Sequence, residues 1–252
     1  MSGLVTVRFY EELNDFLPLE KRKKSFLCAF KQPGSVKDFI ESLGVPHTEI
    51  DLILVNSRSV DFSYCIKDGD RISVYPVFES LDISPIIKLH PKLLRDSRFV
   101  LDTHLGRLAA YLRMIGFDTL YRNDYDDPTL ANISVVEKRI LLTCDKRLLM
   151  RKQITHGYYV RARQPQQQLL EVIYRFDLFN SLQPFTRCMH CNGNILRISK
   201  SEIEQHLMPQ TKEHYDQFWQ CRDCKKIYWQ GSHYRRMQQL IDQLALESHK
   251  QS

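Results

Sequence analysis

"FVLDTHLGRLAAYLRMIGFDTLYRNDYDDPTLANISVVEKRILLTCDKRLLMRK", residues 99–152, switches repeatedly between two periodicities. Phe99-Val100-Leu101 is a short unbroken apolar run, the pattern of a buried strand. Leu105, Leu108, Ala109, Leu112 and Ile115 then recur at helical spacing until Gly116 ends the helix. Asp118 to Tyr121 reads as the next strand, Pro128 to Glu137 as the next helix and Ile140 to Thr143 as the third strand. Beyond the stretch, Tyr158 to Val160 is a fourth strand, and Leu169, Val172, Ile173 and Phe176 mark a closing amphipathic helix. Strands alternating with helices imply an α/β domain with a mainly parallel sheet covered on both faces.

Ligands of open parallel sheets bind outside the carboxyl ends of the strands, so acids found there carry weight. Asp102 follows the first strand, Asp124 and Asp127 lie beyond the second, and Asp145 follows the third. Carboxylates brought together repel one another unless cations intervene, and hard oxygen ligands suit Mg²⁺ or Mn²⁺. Each acid has a second reading. Asp127 directly precedes Pro128 and is suited to cap a helix; Asp102 and Asp145 are placed to cap the helices that follow them. Asp124 and Asp126 also fit a solvated loop, "NDYDD". Basic residues follow the acids closely: Arg107 and Arg113 on the first helix, then Lys146, Arg147, Arg151 and Lys152, and later Arg161 and Arg163. They fit either a solvated helix face or a track for nucleic-acid phosphates.

The charge of the whole chain is uneven. Residues 1–80 carry 10 Lys/Arg against 12 Asp/Glu, and the remainder 26 against 18, so the net +6 belongs to the later part. A basic domain of this kind suits a polyanion such as RNA. No apolar run approaches the roughly 20 residues needed to span a bilayer, and the start, MSGLVTVRFYEE, lacks the form of a signal peptide. The expectation is a cytoplasmic protein with no membrane partner.

Of seven cysteines, four form two CxxC pairs, Cys188/Cys191 and Cys221/Cys224. Two such pairs are suited to hold one tetrahedral Zn²⁺ through four thiolates, with no position left open for catalysis. Gly193 is read as permitting the tight turn of the first knuckle. Cys28, Cys65 and Cys144 have no metal spacing. In "KKIYWQGSHYRRM", residues 225–237, bases alternate with Tyr228, Trp229, His233 and Tyr234, a mixture that fits stacking on unpaired bases as well as a ribbon strand packed on its neighbour.

Before the alternating segment, residues 4 to about 78 read as Leu4–Tyr10 (strand), Phe26–Phe30 (strand), a helix capped by Ser35 and ended by Gly44, and the strands Asp51–Val55 and Arg71–Val77 around the turn Asp68-Gly69-Asp70. This ββαββ order is that of a β-grasp unit. "VKDFIESLG", "LILVNSRSV" and "IKDGDRISVYPVF" resemble the ubiquitin-like sulfur carriers of thiamine and molybdopterin synthesis. Those carriers end in Gly-Gly, whereas Tyr75-Pro76-Val77-Phe78 runs on into Glu79, which leaves no carboxylate to activate. A binding or positioning role, with a protein partner, is the better expectation for this module.

Residues 99–152 closely resemble the Mut7-C RNase domain, a PIN-like nuclease fold of three α/β/α layers with an appended zinc ribbon, and the whole chain resembles bacterial proteins that place a ubiquitin-like domain before it. The resemblance covers about residues 95–235 and, more weakly, the N-terminal part, and with the segment reading it gives domains over 1–80 (ubiquitin-like), 95–184 (nuclease) and 185–235 (zinc ribbon); Pro85 and Pro91 mark a linker over 81–94, and 236–252 reads as a C-terminal helix and tail. The resemblance implies a metal-dependent ribonuclease, with Asp102, Asp127 and Asp145 as the acids that hold Mg²⁺ or Mn²⁺ and Asp124 as a further one; Glu137 is either a fourth acid or a helix-surface residue. His233 falls within the family's recurring "YWxGSH" stretch. A haloacid-dehalogenase type of phosphatase would need a second Asp two residues after its nucleophile, and Asp102-Thr103-His104 lacks it. The alternative is a non-catalytic RNA-binding adaptor that uses the zinc ribbon and the β-grasp module.

Overall fold

The computed structural model describes residues 2–76, Leu89 and 97–248; the expected linker falls, Leu89 apart, outside the described residues. In chain order the elements are β1 (Gly3–Phe9), β2 (Phe26–Phe30), α1 (Val36–Ser42), β3 (Ile50–Val55), β4 (Arg58–Val60), β5 (Arg71–Pro76), β6 (Phe99–Leu101), α2 (Gly106–Met114), β7 (Thr119–Tyr121), α3 (Asp127–Val136), β8 (Ile140–Thr143), α4 (Lys146–Leu149), β9 (Gly157–Tyr159), α5 (Pro165–Arg175), β10 (Ile195–Ile198), α6 (Lys200–Ile203), α7 (Pro209–His214), β11 (Phe218–Cys221), β12 (Ile227–Trp229) and α8 (Ser232–Ser248). The α/β class and its parallel strands agree with the sequence reading.

The chain packs as two compact units, and each is discontinuous: Met1–Asp96 with Tyr125–Tyr159, and Ser97–Asp124 with Val160–Ser252. In the first, β1 alternates so that Val5, Val7 and Phe9 turn inward. They pack with Val36, Phe39 and Ile40 of α1 and with Ile53, Ile72 and Val74, a fully apolar core in which each buried side chain contributes roughly 1.5–3 kcal/mol. The five strands run in the order β2-β1-β5-β3-β4. β1 and β5 are parallel, Thr6 facing Arg71, and the other neighbours antiparallel. Ser35 caps α1 by accepting the Asp38 N–H at 3.0 Å, and Gly44 follows it at φ +97°.

β4 is absent from the sequence reading. Its hairpin turns on Asn56 and Ser57, both left-handed at φ 51° and 67°, where a glycine would have signalled the turn. Asn56 supports the conformation with its own side chain, which accepts the Arg71 N–H at 3.0 Å and donates to Asp70 at 2.9 Å. Asp70 is buried, and also accepts from the Lys67 N–H and the Tyr64 hydroxyl. The expected turn residue is thus a buried hub.

The second piece of this unit adds α3, β8, α4 and β9. β8 is buried along its whole length and pairs in parallel with β9, Thr143 facing Tyr159. The piece is fastened to the N-terminal module. Glu49, 3% exposed, accepts the Tyr159 N–H at 2.7 Å; the His47 ring meets the Ile154 carbonyl at 2.8 Å and Glu41 at 2.6 Å; Phe16 packs edge-on against Tyr159.

In the second unit β6 and β7 pair in parallel, Leu101 facing Tyr121, and α2 packs against β7 and α5. β10, β11 and β12 form a separate antiparallel sheet in that order. The chain leading into it is held by the end of α2: the Gln183 and Phe185 N–H groups donate to Ile115 and Met114 at 2.9 and 2.8 Å. Gly116, at φ +102°, lets Gln183 approach, since a Cβ there would strike its carbonyl. Among the described residues, no helix is long and apolar enough to cross a membrane.

Candidate active-site acids and metal centre

Asp102 leaves the carboxyl end of β6 and is buried at 6% exposure. Its Oδ1 accepts the His104 N–H at 2.9 Å and the Thr103 hydroxyl at 3.3 Å, capping the short 3₁₀ turn that precedes α2. Tyr121, at the same end of β7, donates its hydroxyl to the Thr103 carbonyl at 3.0 Å. The ring lies where a Cβ on Gly106 would stand, 2.7 Å from the phenol oxygen. Tyr121 and Gly106 therefore fix the Asp102 turn, and sequence reasoning passed over both. The signal available was a glycine at the start of a helix, where it serves close approach rather than termination.

Asp124 lies beyond β7 and is exposed. Arg122 grips both its oxygens, at 2.9 and 2.6 Å, and holds its carboxyl below the usual carboxylate range. Asp126, not Asp127, caps α3, accepting the Thr129 N–H at 2.9 Å, and this bond lowers its pKa. Asp127 is the first helical residue and pairs with Arg151 at 3.3 Å. Asp145 does cap α4, its Oδ1 accepting the Arg147 N–H at 2.8 Å, while its own N–H donates to the Thr143 hydroxyl. Among the described residues its Oδ2 has no hydrogen-bond partner. Glu137 closes α3 and accepts from Arg139 at 2.8 Å.

The basic residues divide into two kinds. Arg107, Lys146, Arg147 and Lys152 are exposed, with the Lys146 ammonium near Gly44, and Arg151 is half-buried on Asp127. Arg113 corrects the expectation of a phosphate contact. It is 4% exposed and donates to three carbonyls: Thr119 at 2.9 Å, Met189 at 3.2 Å and His190 at 2.9 Å. The side chain ties α2 and β7 to the first CxxC knuckle and is buried there, away from any phosphate in solvent.

The four thiols meet. Their Sγ atoms all lie within 4.8 Å of one another, with Cys188–Cys224 at 3.6 Å and Cys191–Cys221 at 3.4 Å. A tetrahedral zinc with bonds of about 2.3 Å sets its sulfurs about 3.8 Å apart, so the donor set and spacing fit Zn²⁺. Burial works against a Cys188 thiolate, but the Tyr228 hydroxyl at 3.0 Å and the N–H groups of Cys191 and His190 outweigh it and bring the thiol down to about 7. Burial first, then the neighbouring thiols, pushes Cys224 up to about 12. One thiolate is stabilised and the cluster resists further ionisation without a cation. Burial and the same sulfur also raise the Tyr228 phenol.

Gly193 has a different part from the one expected. The left-handed residue of the knuckle is Asn192, at φ 73°, while a Cβ on Gly193 would strike the Asp223 carboxylate and come within 3.0 Å of the Cys221 sulfur. Its bareness lets the two knuckles close on one another. Asn192 also accepts the Thr119 N–H at 3.0 Å and donates to Asp118 at 2.8 Å. The knuckle thereby satisfies a backbone group of β7.

Family models match almost the whole chain: the Mut7-C RNAse domain over residues 97–241 and the Mut7-C ubiquitin model over residues 2–82. No curated protein and no solved structure matches it. With the RNAse-domain match covering more than half of its length, the chain belongs to the Mut7-C RNAse domain family and carries that family's ubiquitin-like module at its N-terminus.

Proposed function

We propose that the protein is a metal-dependent ribonuclease, a hydrolase of RNA phosphodiester bonds, in which Asp102, Asp127 and Asp145 hold Mg²⁺ or Mn²⁺ and Asp124 assists. One observation carries the reading: Asp102 and Asp145 each leave the carboxyl end of a buried strand in a parallel pair, within a chain of an RNAse-domain family. The donors are hard carboxylate oxygens, as these ions require, and Asp145 keeps one oxygen without a protein partner among the described residues. When bound, the ion supplies an acidified water and charge neutralisation at the phosphorus. The chain's part is positional. Backbone N–H groups orient Asp102 and Asp145, and Arg107, Lys146, Arg147 and Lys152 are exposed cations available to flanking phosphates. Zn²⁺ on the four cysteines is structural in this reading.

The test is cleavage of labelled single-stranded RNA by the zinc-loaded full chain with Mg²⁺ or Mn²⁺. Asp145→Asn and Asp102→Asn are each expected to lower the rate at least about 100-fold without unfolding the protein. Undiminished cleavage by both variants would remove the acids from the mechanism. A second reading, a non-catalytic RNA adaptor, draws on the pairing of Asp127 with Arg151 and of Asp124 with Arg122, which neutralises two of the acids. RNA binding with no cleavage under either metal would select it.

A further inference from the structure

The zinc-ribbon part of the second unit contains an open cavity of about 980 Å³, formed by the chain around α7, by β12 and by the start of α8. That volume lies at the upper end of the roughly 300–1,000 Å³ range of small-ligand clefts. Its walls carry the rings of Trp229, Tyr215, Tyr228, Tyr234 and His233 together with Lys226. Trp229 is 38% exposed, and Tyr215 stands 6.4 Å from it with the rings tilted by 52°.

Its neighbours hold it in that position. The Gly231 N–H donates to the Trp229 carbonyl at 2.9 Å, folding the chain back at once, and a Cβ on Gly231 would stand 2.8 Å from the indole nitrogen. Tyr228, the adjacent wall, is anchored by its hydroxyl to Cys188 at 3.0 Å, so the wall is continuous with the cysteine cluster. The segment that supplies this wall is basic in sequence, and of its bases Lys226 lines the cavity. Between Cys221 and Met237 the chain carries Arg222, Lys225, Lys226, Arg235 and Arg236 against one acid, Asp223; Glu213 adds a second acid to the lining.

We infer that this cavity binds an unpaired base of single-stranded RNA, stacked on Trp229, with the adjoining phosphates on the flanking lysines and arginines. The inference rests on RNA as substrate, and names the place where the strand is gripped, on a part of the chain that carries none of the candidate catalytic acids. A purely apolar peptide would match the rings but gain nothing from Lys226 in the lining or from the basic segment that carries it. A base with its phosphates uses both, since every base offers a π-face to stack and each phosphate a charge to neutralise.

The experiment uses zinc-loaded full-length protein carrying Trp219→Phe, so that Trp229 is the single tryptophan, in buffer without added Mg²⁺ or Mn²⁺. A single-stranded hexauridylate should quench its emission saturably, while a blunt RNA duplex and an inorganic polyphosphate of equal charge should not. In the natural background Trp229→Leu, and separately Gly231→Val, should weaken hexauridylate binding about 5- to 100-fold, and Trp229→Phe much less. Zinc content equal to that of the natural chain shows that the variants are folded. Equal quenching by duplex or polyphosphate, or unchanged binding in Trp229→Leu, would overturn the assignment. The two proposals separate cleanly. Cleavage that depends on Asp145 with a silent Trp229 sinks only the cavity, whereas a responsive Trp229 without cleavage under either metal sinks only the nuclease.

Discussion

Asp126 and Asp127 stand side by side in "NDYDDP", and the structure gives them different work. Asp126 holds the first turn of α3, while Asp127, one residue on, points its carboxylate at Arg151. Asp126→Ala should lower the melting temperature by about 2–4 °C, as the loss of an N-cap does in a chain of this size. Asp127→Asn should leave it nearly unchanged while lowering any metal-dependent cleavage; calorimetry and a cleavage assay on the same samples check the pair, and a reversed order of stabilities would misplace the cap. Arg113→Met orphans three carbonyls and should cost about 3 kcal/mol in urea denaturation. Neither distinction was legible beforehand. Which of two adjacent acids caps a helix depends on the dihedrals of the turn, and two of the three carbonyl partners of Arg113 lie 76 and 77 residues away along the chain.

At the scale of elements, the cysteine ribbon was the most legible part, because two CxxC pairs need only local chemistry to be read. What the spacing left hidden was the cooperation around them, in Tyr228, Asn192 and Gly193. The Cys188 thiol falls from an ordinary 9.0 to about 7, so the stability contributed by its thiolate is full above about pH 9 and is lost as the pH drops through 7. Zinc, which needs the thiolates, should be released on acidification, as followed with a chromophoric chelator. Tyr228→Phe should shift the release to higher pH by deleting the hydrogen bond that lowers Cys188; an unshifted profile would deny the phenol that role. The hairpin joining β3 and β4 illustrates the opposite case. Its turn residues, Asn56 and Ser57, lack the glycine that marks such turns, so a real strand was missed.

At the scale of the molecule, periodicity found the strands and main helices of the alternating segment but not β4, β10, β11, α6 or α7, and gave no hint of which pieces pack together. The expected boundaries follow the order of the chain, whereas the compact units exchange segments, and residues 125–159 join the N-terminal module through His47, Glu49 and Phe16. None of these three attracts notice in a sequence, because the partner each meets in that segment lies more than a hundred positions away. A chain begun at Ser97 should therefore lose protection at the Tyr159 amide and be nicked by protease between Cys144 and Gly157. Hydrogen exchange read by mass spectrometry would show it. Full protection of that region would make the N-terminal module a mere appendage.

The fastening of Tyr159 to Glu49 also has a bearing on synthesis. Chains leave the ribosome at about 5–20 residues per second, so the N-terminal module is born several seconds before the segment that covers Phe16, His47 and Glu49. During that interval it presents an uncovered acceptor surface. The module that arrives first thus already holds the groups that meet Ile154 and Tyr159 when that later segment emerges, which gives the ubiquitin-like module a reason to precede the RNAse-family domain.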